Sequence, residues 1–233
     1  MPEFAVILPA AGRSRRFRGF DQKKPFVDLA GEAVWRRTVR AFGGRDYVTQ
    51  ILLVLADSDR TEFLDRFGEH LGNIDLVSGG TSRAESVYNG LMSLRDSIEF
   101  VAVHDAARPL ITSDVIDSVF AAALRTGAAI PGVPITSTVK RIDKEGQIET
   151  TIDRSQLRLA QTPQTFDRQI LLDAFALANG RLQHFMDEAS LVEASGHSVT
   201  VTNGAWENIK ITTAEDFHLA EMILSGRDAA SIG

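Results

Sequence analysis

The 233-residue chain contains no cysteine, which excludes disulfides, thiolate zinc sites and a cysteine nucleophile and leaves the redox compartment open. Any bound metal would have to rest on oxygen or imidazole ligands. Positive charge is not in excess either: 25 Lys and Arg stand against 31 Asp and Glu, a net charge of −6. No global field draws nucleic acid or an anionic membrane, so anion binding has to come from local basic clusters. No apolar run reaches the roughly 20 residues that span a bilayer, and the N-terminus lacks a charged segment leading into a long apolar stretch. The expectation is a soluble, cytoplasmic protein with no nucleic-acid or membrane partner. Three familiar signatures are also missing. No phosphate loop ends in Gly-Lys-Ser/Thr, no Gly-x-Gly-x-x-Gly follows the first strand, and no serine stands in Gly-x-Ser-x-Gly, which disfavours a generic ATPase, a dehydrogenase and a triad hydrolase. His70, His184, His197 and His218 show no metal-ligand spacing and read as surface or structural residues.

What is present is 44% hydrophobic residues, enough for one large α/β domain with a substantial core. Apolar runs at Ala5–Leu8, Gln50–Leu55, Ile74–Val77, Phe100–Val103 and Ala128–Val133 read as strands. Helical patterns fit between them at Ala33–Phe42, Arg60–His70, Arg83–Leu94 and Ser113–Arg125. This alternation implies parallel pairing and a sheet covered on both faces. After Pro134 the rhythm changes. Thr138–Ile142, a turn at Lys144-Glu145-Gly146 and Ile148–Ile152 read as a β-hairpin with exposed flanks, a projecting arm. Helices are expected at Asp167–Ala178, Asp187–Ser195 and Ala214–Leu224, and strands at Ser198–Thr202 and Asn208–Thr212.

Ligands of open α/β sheets bind beyond the carboxyl ends of the strands, so the residues after each strand carry the functional signal. Strand one runs into Pro9-Ala10-Ala11-Gly12 and then a cluster of cations that includes Arg13, Arg15, Arg16, Lys23 and Lys24. Small residues there let backbone N–H groups approach a phosphate chain, and nearby cations neutralise the charge that phosphoryl chemistry builds up. The plainer reading is a tight turn beside a solvated basic face. Strand three runs into Gly79-Gly80, with Ser86 one turn into the following helix, suited to a phosphate or a base. Strand four runs into His104-Asp105-Ala106-Ala107-Arg108-Pro109. Asp105 is placed to ligate Mg²⁺ that bridges nucleotide phosphates, or else to cap a helix or pair with Arg108. His104 reads as a packed, hydrogen-bonded side chain. Arg154, Thr162 and Lys210 supply two further cations and a hydroxyl for a second anion site.

In this order, with Gly79-Gly80-x-x-Arg83-x-x-Ser86, Thr162-Pro163-Gln164, Asp187-Glu188-Ala189-Ser190 and Asn208-Ile209-Lys210, the chain resembles the 2-C-methyl-D-erythritol 4-phosphate cytidylyltransferases from end to end. The resemblance implies a Rossmann-like nucleotidyltransferase fold: a mostly parallel sheet flanked by helices, with an arm that clasps a second subunit. It implies one domain over residues 1–226, an arm over about 136–156 and a flexible tail at 227–233. It also implies CTP and a polyol phosphate as substrates, Mg²⁺ or another hard divalent cation as cofactor, and a homodimer formed through the arm.

Residue by residue, Arg16 and Lys24 would be the catalytic cations at the α-phosphate. Pro9, Ala10, Ala11, Gly12, Gly80, Ser86, Asp105 and Ala106 would hold CTP, with Asp105 also on the metal. Arg108, Thr138 and Thr162 would bind methylerythritol phosphate, and Arg154 and Lys210 would position its phosphate. Three residues depart from the family pattern: Ser14 replaces a loop glycine, Ser137 an aspartate and Met186 a threonine. The rival readings are a cytidylyltransferase for another polyol phosphate, such as ribitol 5-phosphate, and a CTP-binding sensor without catalysis.

Overall fold

The computed structural model describes residues 1–12, 24–178 and 180–230, without the side chains of Lys24 and 228–230. Its elements are β1 (Glu3–Pro9), β2 (Asp28–Leu29), β3 (Glu32–Ala33), α1 (Val34–Phe42), β4 (Val48–Leu55), α2 (Asp57–Phe67), β5 (Ile74–Ser78), α3 (Arg83–Met92), β6 (Ile98–Val103), α4 (Ser113–Thr126) and β7 (Ala128–Pro134). They continue with β8 (Val139–Ile142), β9 (Ile148–Ile152), β10 (Arg158–Ala160), β11 (Gln164–Asp167), α5 (Arg168–Ala178), α6 (Glu188–Ala194), β12 (Thr200–Asn203) and α7 (Ala214–Ala230).

Strand β1 is apolar along its length because it lies in the middle of the sheet. It pairs in parallel with β4 on one side and β6 on the other, and its side chains alternate between two cores. Phe4, Val6 and Leu8 enter one core beneath α1 and α4, while Ala5 and Ile7 enter the other beneath α3, α5 and α6. A strand buried on both faces cannot alternate polar and apolar residues, and each fully buried large side chain in it contributes about 1.5–3 kcal/mol. Phe4 anchors the first core by stacking on Phe120, with ring centroids 4.5 Å apart.

The sheet order is β5-β4-β1-β6-β11-β7, with β10 and β12 also paired to β7. From β1 the chain turns first toward β4 and β5, and then returns to place β6 on β1's other edge. The strand order therefore reverses beside β1, the position where open sheets form a ligand crevice. The sheet is mostly parallel and flanked by helices, as the sequence implies. One exception is β10, antiparallel to β7; the other is β11, antiparallel to both β6 and β7. Sequence reading missed β11 because Gln164-Thr165-Phe166-Asp167 is short and largely polar, although its first three residues are buried.

One further expectation is corrected. Asn208–Thr212 alternates Ile209 and Ile211 as a strand would, yet it forms no strand. Its backbone bonds elsewhere: Ile211 N–H donates to Ala107 C=O and Asn208 N–H to Ala205 C=O. Helix α7 runs to Ala230, and within it Arg227 pairs with Glu207 and donates to the Leu110 carbonyl. Helix α7 is docked by Phe217, Ala220 and Leu224, which pack with Val27, Leu29, Val34, Leu110 and Ile211.

The hairpin β8–β9 forms as expected, in antiparallel register from Val139↔Ile152 to Ile142↔Ile148. Asp143 Oδ1 accepts from the N–H groups of Glu145 and Gln147 to close its turn, and Gly146 supplies the positive φ of 84°. Ile142 and Ile148 face each other across the hairpin, both more than half exposed.

Candidate active site

A cavity of about 680 Å³ opens beyond the carboxyl ends of β1 and β6, within the size range of small-ligand pockets. Pro9, Ala10, Ala11 and Gly12 form one wall, Gly80, Thr81, Ser82, Arg83 and Ser86 another, and Asp105, Ala106, Ala107 and Lys210 close the far end. All eight residues expected to bind CTP line this one space, with Lys210 beside them.

The glycine wall is built for close approach. A Cβ on Gly79 would lie 2.6 Å from Ala11 Cβ, and one on Gly80 would collide with Glu85 Cβ. Ser86 holds this loop: its hydroxyl donates to Ser82 C=O at 2.8 Å and accepts from Gly80 N–H at 3.0 Å. Ser82 caps α3 by accepting from Glu85 N–H. Because of these contacts, Gly80→Ala is expected to raise the KM for nucleotide about tenfold or more while leaving the fold intact, since the new Cβ meets Glu85 Cβ and pushes the glycine loop out of place. Titration of CTP against both proteins, with circular dichroism as control, checks this.

At the other end one carboxylate serves three cations. Asp105 Oδ2 meets Lys210 Nζ at 2.9 Å and Arg108 Nε at 3.3 Å, and its Oδ1 meets Arg83 Nε at 3.5 Å. Burial alone would raise the Asp105 pKa, but Arg83, Lys210 and Arg108 outweigh it and hold the carboxyl well below the usual carboxylate range. Arg83 reaches on to the buried Glu188, with Nη1 2.7 Å from Oε1. Burial opposes the charge on Arg83, yet Glu188 and Asp105 together push its pKa up. The helix-cap alternative for Asp105 is set aside, and pairing with Arg108 is one part of a larger cluster.

His104 is fully buried, its ring edge-on to Phe42 at 5.1 Å, and burial holds its pKa down at about 4. It is therefore neutral near pH 7, packed and hydrogen-bonded as its position suggests. Thr162 lies behind the wall. Expected to bind the acceptor, it is buried, lies off the cavity wall, and has its hydroxyl bonded to His104 Nδ1 and to Asp105 N–H. Arg108 likewise reaches the site through Asp105 rather than by lining the cavity, with Nη1 donating to Asn208 C=O at 2.7 Å.

Thr138 and Arg154 are exposed at the base of the arm and are not on the cavity wall of their own chain. Ser137 is exposed beside Thr138. Met186 is 91% exposed and contributes nothing to this wall. Arg16 and Ser14 lie outside the described residues. Of Lys24, the backbone is described, in a short turn Lys24–Phe26 held by Phe26, whose ring lies 5.3 Å from that of Phe63. Sequence reasoning did not single out Arg83 as a site residue. Its signal was the position in Gly79-Gly80-x-x-Arg83, one turn below the glycine wall.

A model of the family described as 2-C-methyl-D-erythritol 4-phosphate cytidylyltransferase matches residues 4–226. The chain belongs to this cytidylyltransferase family. The family's enzyme from Symbiobacterium thermophilum is 41% identical over 223 residues, covering 94% of this chain and 92% of its own. That from Pelotomaculum thermopropionicum is 37% identical over 230 residues, covering 97% and 96%. Among solved structures, 4-diphosphocytidyl-2C-methyl-D-erythritol synthase from Anaerococcus prevotii superposes with a TM-score of 0.81 at 29% identity, covering 96% of each chain. The cytidylyltransferase of Thermus thermophilus gives 0.77 at 29% identity, covering 95% of this chain and 98% of its own. The fold is thus the Rossmann-like nucleotidyltransferase fold of the cytidylyltransferases, and the protein is an enzyme of that class. Among the described residues no helix is long and apolar enough to cross a membrane.

Proposed function

We propose that this cytidylyltransferase transfers CMP from CTP to 2-C-methyl-D-erythritol 4-phosphate, giving 4-diphosphocytidyl-2-C-methyl-D-erythritol and pyrophosphate, in cytoplasmic isoprenoid precursor synthesis by the non-mevalonate route. The observation that carries this reading is the single cavity, with its small-residue and glycine walls at one end and the Asp105–Lys210–Arg108–Arg83 cluster at the other. The first end suits a nucleoside triphosphate; the second, where Arg83, Arg108 and Lys210 outnumber Asp105 and Glu188, suits a phosphate ester.

No general base is needed, because the acceptor phosphate is already an anion near neutral pH. Its oxygen forms a bond to the α-phosphorus in line, the bond from that phosphorus to the α,β-bridging oxygen breaks, and the electron pair leaves with pyrophosphate. Lys210 and Arg154 hold the acceptor phosphate, while Arg16 and Lys24 stabilise charge on the α-phosphate. Backbone N–H groups of Ala11 and Gly12 cradle the triphosphate, while that of Ala10 stays in the sheet, donating to Val54 C=O.

Among the described residues no cluster of three or more His, Cys, Asp or Glu could hold a metal. Asp105 still fits Mg²⁺ or another hard divalent cation, which needs only one or two carboxylates when triphosphate oxygens supply the rest. Its Oδ1 has the longest of the three cation pairings, 3.5 Å to Arg83, and so keeps a lone pair for such an ion. Bound there, the cation would offset negative charge on the triphosphate.

The arm supports a homodimer. Its Ile142 and Ile148 are exposed on a hairpin with no core of its own, and Arg154 and Thr138 at its base stand off their own chain's cavity. A second subunit would cover the first pair and receive the second.

The test is pyrophosphate release from CTP and Mg²⁺ with either methylerythritol phosphate or ribitol 5-phosphate. Release with methylerythritol phosphate alone is expected. Preference for ribitol 5-phosphate would overturn the assigned acceptor, and silence with both would leave a nucleotide-binding protein without transfer.

A further inference from the structure

The turn that carries Asp105 is closed by hydrogen bonds at every residue. Arg108 N–H donates to Asp105 C=O at 3.0 Å, Ile211 N–H to Ala107 C=O at 2.9 Å, and Thr38 Oγ1 to Ala106 C=O at 3.0 Å. His104 completes the set by reaching across the turn: Nε2 lies 3.2 Å from Arg108 C=O, while Nδ1 lies 3.0 Å from Thr162 Oγ1. A carbonyl only accepts, so a neutral His104 must carry its proton on Nε2 and accept on Nδ1. The Thr162 hydroxyl then donates to Nδ1 and is left to accept from Asp105 N–H, at 3.1 Å. The three groups form one directed relay: Asp105 N–H to Thr162 O–H to His104 Nδ1, with His104 Nε2–H to Arg108 C=O.

We propose that His104 and Thr162 are positioning residues for the transfer reaction, locking the Asp105–Arg108 turn so that the Asp105 carboxylate holds the Arg108 guanidinium and the Lys210 ammonium at the acceptor end of the cavity. This rests on the functional reading above. The relay ties together three separated stretches of chain: the end of β6, the linker between β10 and β11, and the loop that carries Lys210. That loop is joined through Asn208, whose side-chain amide donates to Thr162 C=O at 2.9 Å and whose carbonyl accepts from Arg108. Neither His104 nor Thr162 touches the cavity, so their influence passes through Asp105 and Arg108. Positioning of this kind matters because displacement of a reacting group by about 1 Å can cost on the order of 10²-fold in rate.

The experiment compares Thr162→Val, Thr162→Ser, His104→Phe and the double variant His104→Phe/Thr162→Val with the unaltered enzyme. Valine keeps the shape of threonine and removes the relay's central hydroxyl. Kcat/KM for the acceptor is expected to fall about 10- to 100-fold, with a much smaller change in the KM for CTP because the glycine wall is untouched. Serine should return the value to within about threefold. The double variant should be no worse than His104→Phe alone, since both changes break the same chain.

Should the phenylalanine variant fail to fold, the valine and serine pair carries the comparison. An independent readout is the ¹⁵N spectrum of the His104 ring in the unaltered protein at pH 7, where a neutral Nε2–H tautomer is expected. Wild-type-like acceptor kinetics in Thr162→Val, equal losses in the CTP and acceptor constants, or an Nδ1–H tautomer would each overturn the proposal. Absence of transfer by the unaltered enzyme would instead overturn the functional reading on which it rests.

Discussion

Asp105→Asn is expected to lower kcat for cytidylyl transfer by about 10²–10³-fold, while the KM for the acceptor changes far less. The substitution keeps the shape of the side chain and removes the charge that Arg83, Arg108 and Lys210 share. Breaking a buried charge cluster by deleting one partner costs about 3–5 kcal/mol. Arg83 and Lys210 are each about a third exposed, at 32% and 37%, so solvent screening brings the effect on stability toward the lower end. The cations left behind still attract an anionic acceptor, which protects KM; they are no longer held where transfer needs them, which lowers kcat. Pyrophosphate release across acceptor concentrations separates the two constants. Equal falls in kcat/KM through KM alone would show that Asp105 contributes only binding.

The same variant should change the acid side of the stability profile. The Asp105 carboxyl is held below its ordinary value, so its contribution is complete above pH about 4 and is lost as pH falls toward its folded-state pKa. His104 acts earlier on the same descent. Its pKa of about 4 in the folded protein lies below the ordinary histidine value, so between about pH 6.5 and 4 the unfolded chain takes up a proton that the folded one does not. Thermal melts of the unaltered protein should therefore decline from about pH 6.5 downward. Those of Asp105→Asn should start lower and fall less steeply below pH about 4.

Lys24→Ala is expected to cost about 10²-fold or more in turnover, by comparison with the loss of other single donors that stabilise transition-state charge. Such a donor matters more as charge moves onto the α-phosphate than when CTP merely sits bound, so the loss should appear in kcat with little change in the KM for CTP. The backbone that carries Lys24 is anchored. The turn Lys24–Phe26 is followed by Val27, and both Phe26 and Val27 are buried. Phe26 sits in an aromatic group with Phe63, Phe67 and Trp35, whose ring pairs lie 5.2–6.2 Å apart. Lys23→Ala is the control. A larger loss there than at Lys24 would reverse the assignment, and less than a fivefold loss at Lys24 would remove it from the chemical step.

The parts of the molecule that were legible in the sequence are those in which one local rule dominates. Phe4–Leu8 could only be a strand buried on both faces, and the small residues after it fell at the sheet's ligand edge because connections in such sheets put them there. The arm was legible because its polar strands surround a strong turn at Lys144-Glu145-Gly146. Legibility failed where partners far apart in sequence decide the outcome. Ile209 and Ile211 alternate like a strand, but Ala107 takes the Ile211 N–H. Thr162 has the hydroxyl of a ligand contact, yet His104 and Asp105 occupy it. Arg83 looked like a helix residue beside a glycine turn, and only the folded chain shows Asp105 and Glu188 on either side of its guanidinium.

The antiparallel strand β11 bears on how the molecule comes to be made. It fills the slot between β6 and β7, with Phe166 opposite Val101 on one side and Ala128 on the other. During synthesis, the parallel strands through β6 are complete some 60 residues before β11 emerges (residue 103 against residue 164). Throughout that interval the free edge of β6 offers unpaired N–H and C=O groups in an apolar setting, the kind of edge that recruits another chain. Such late, non-local pairing also slows folding. A nascent chain halted between these two points is expected to be more prone to aggregate than one halted just after residue 167.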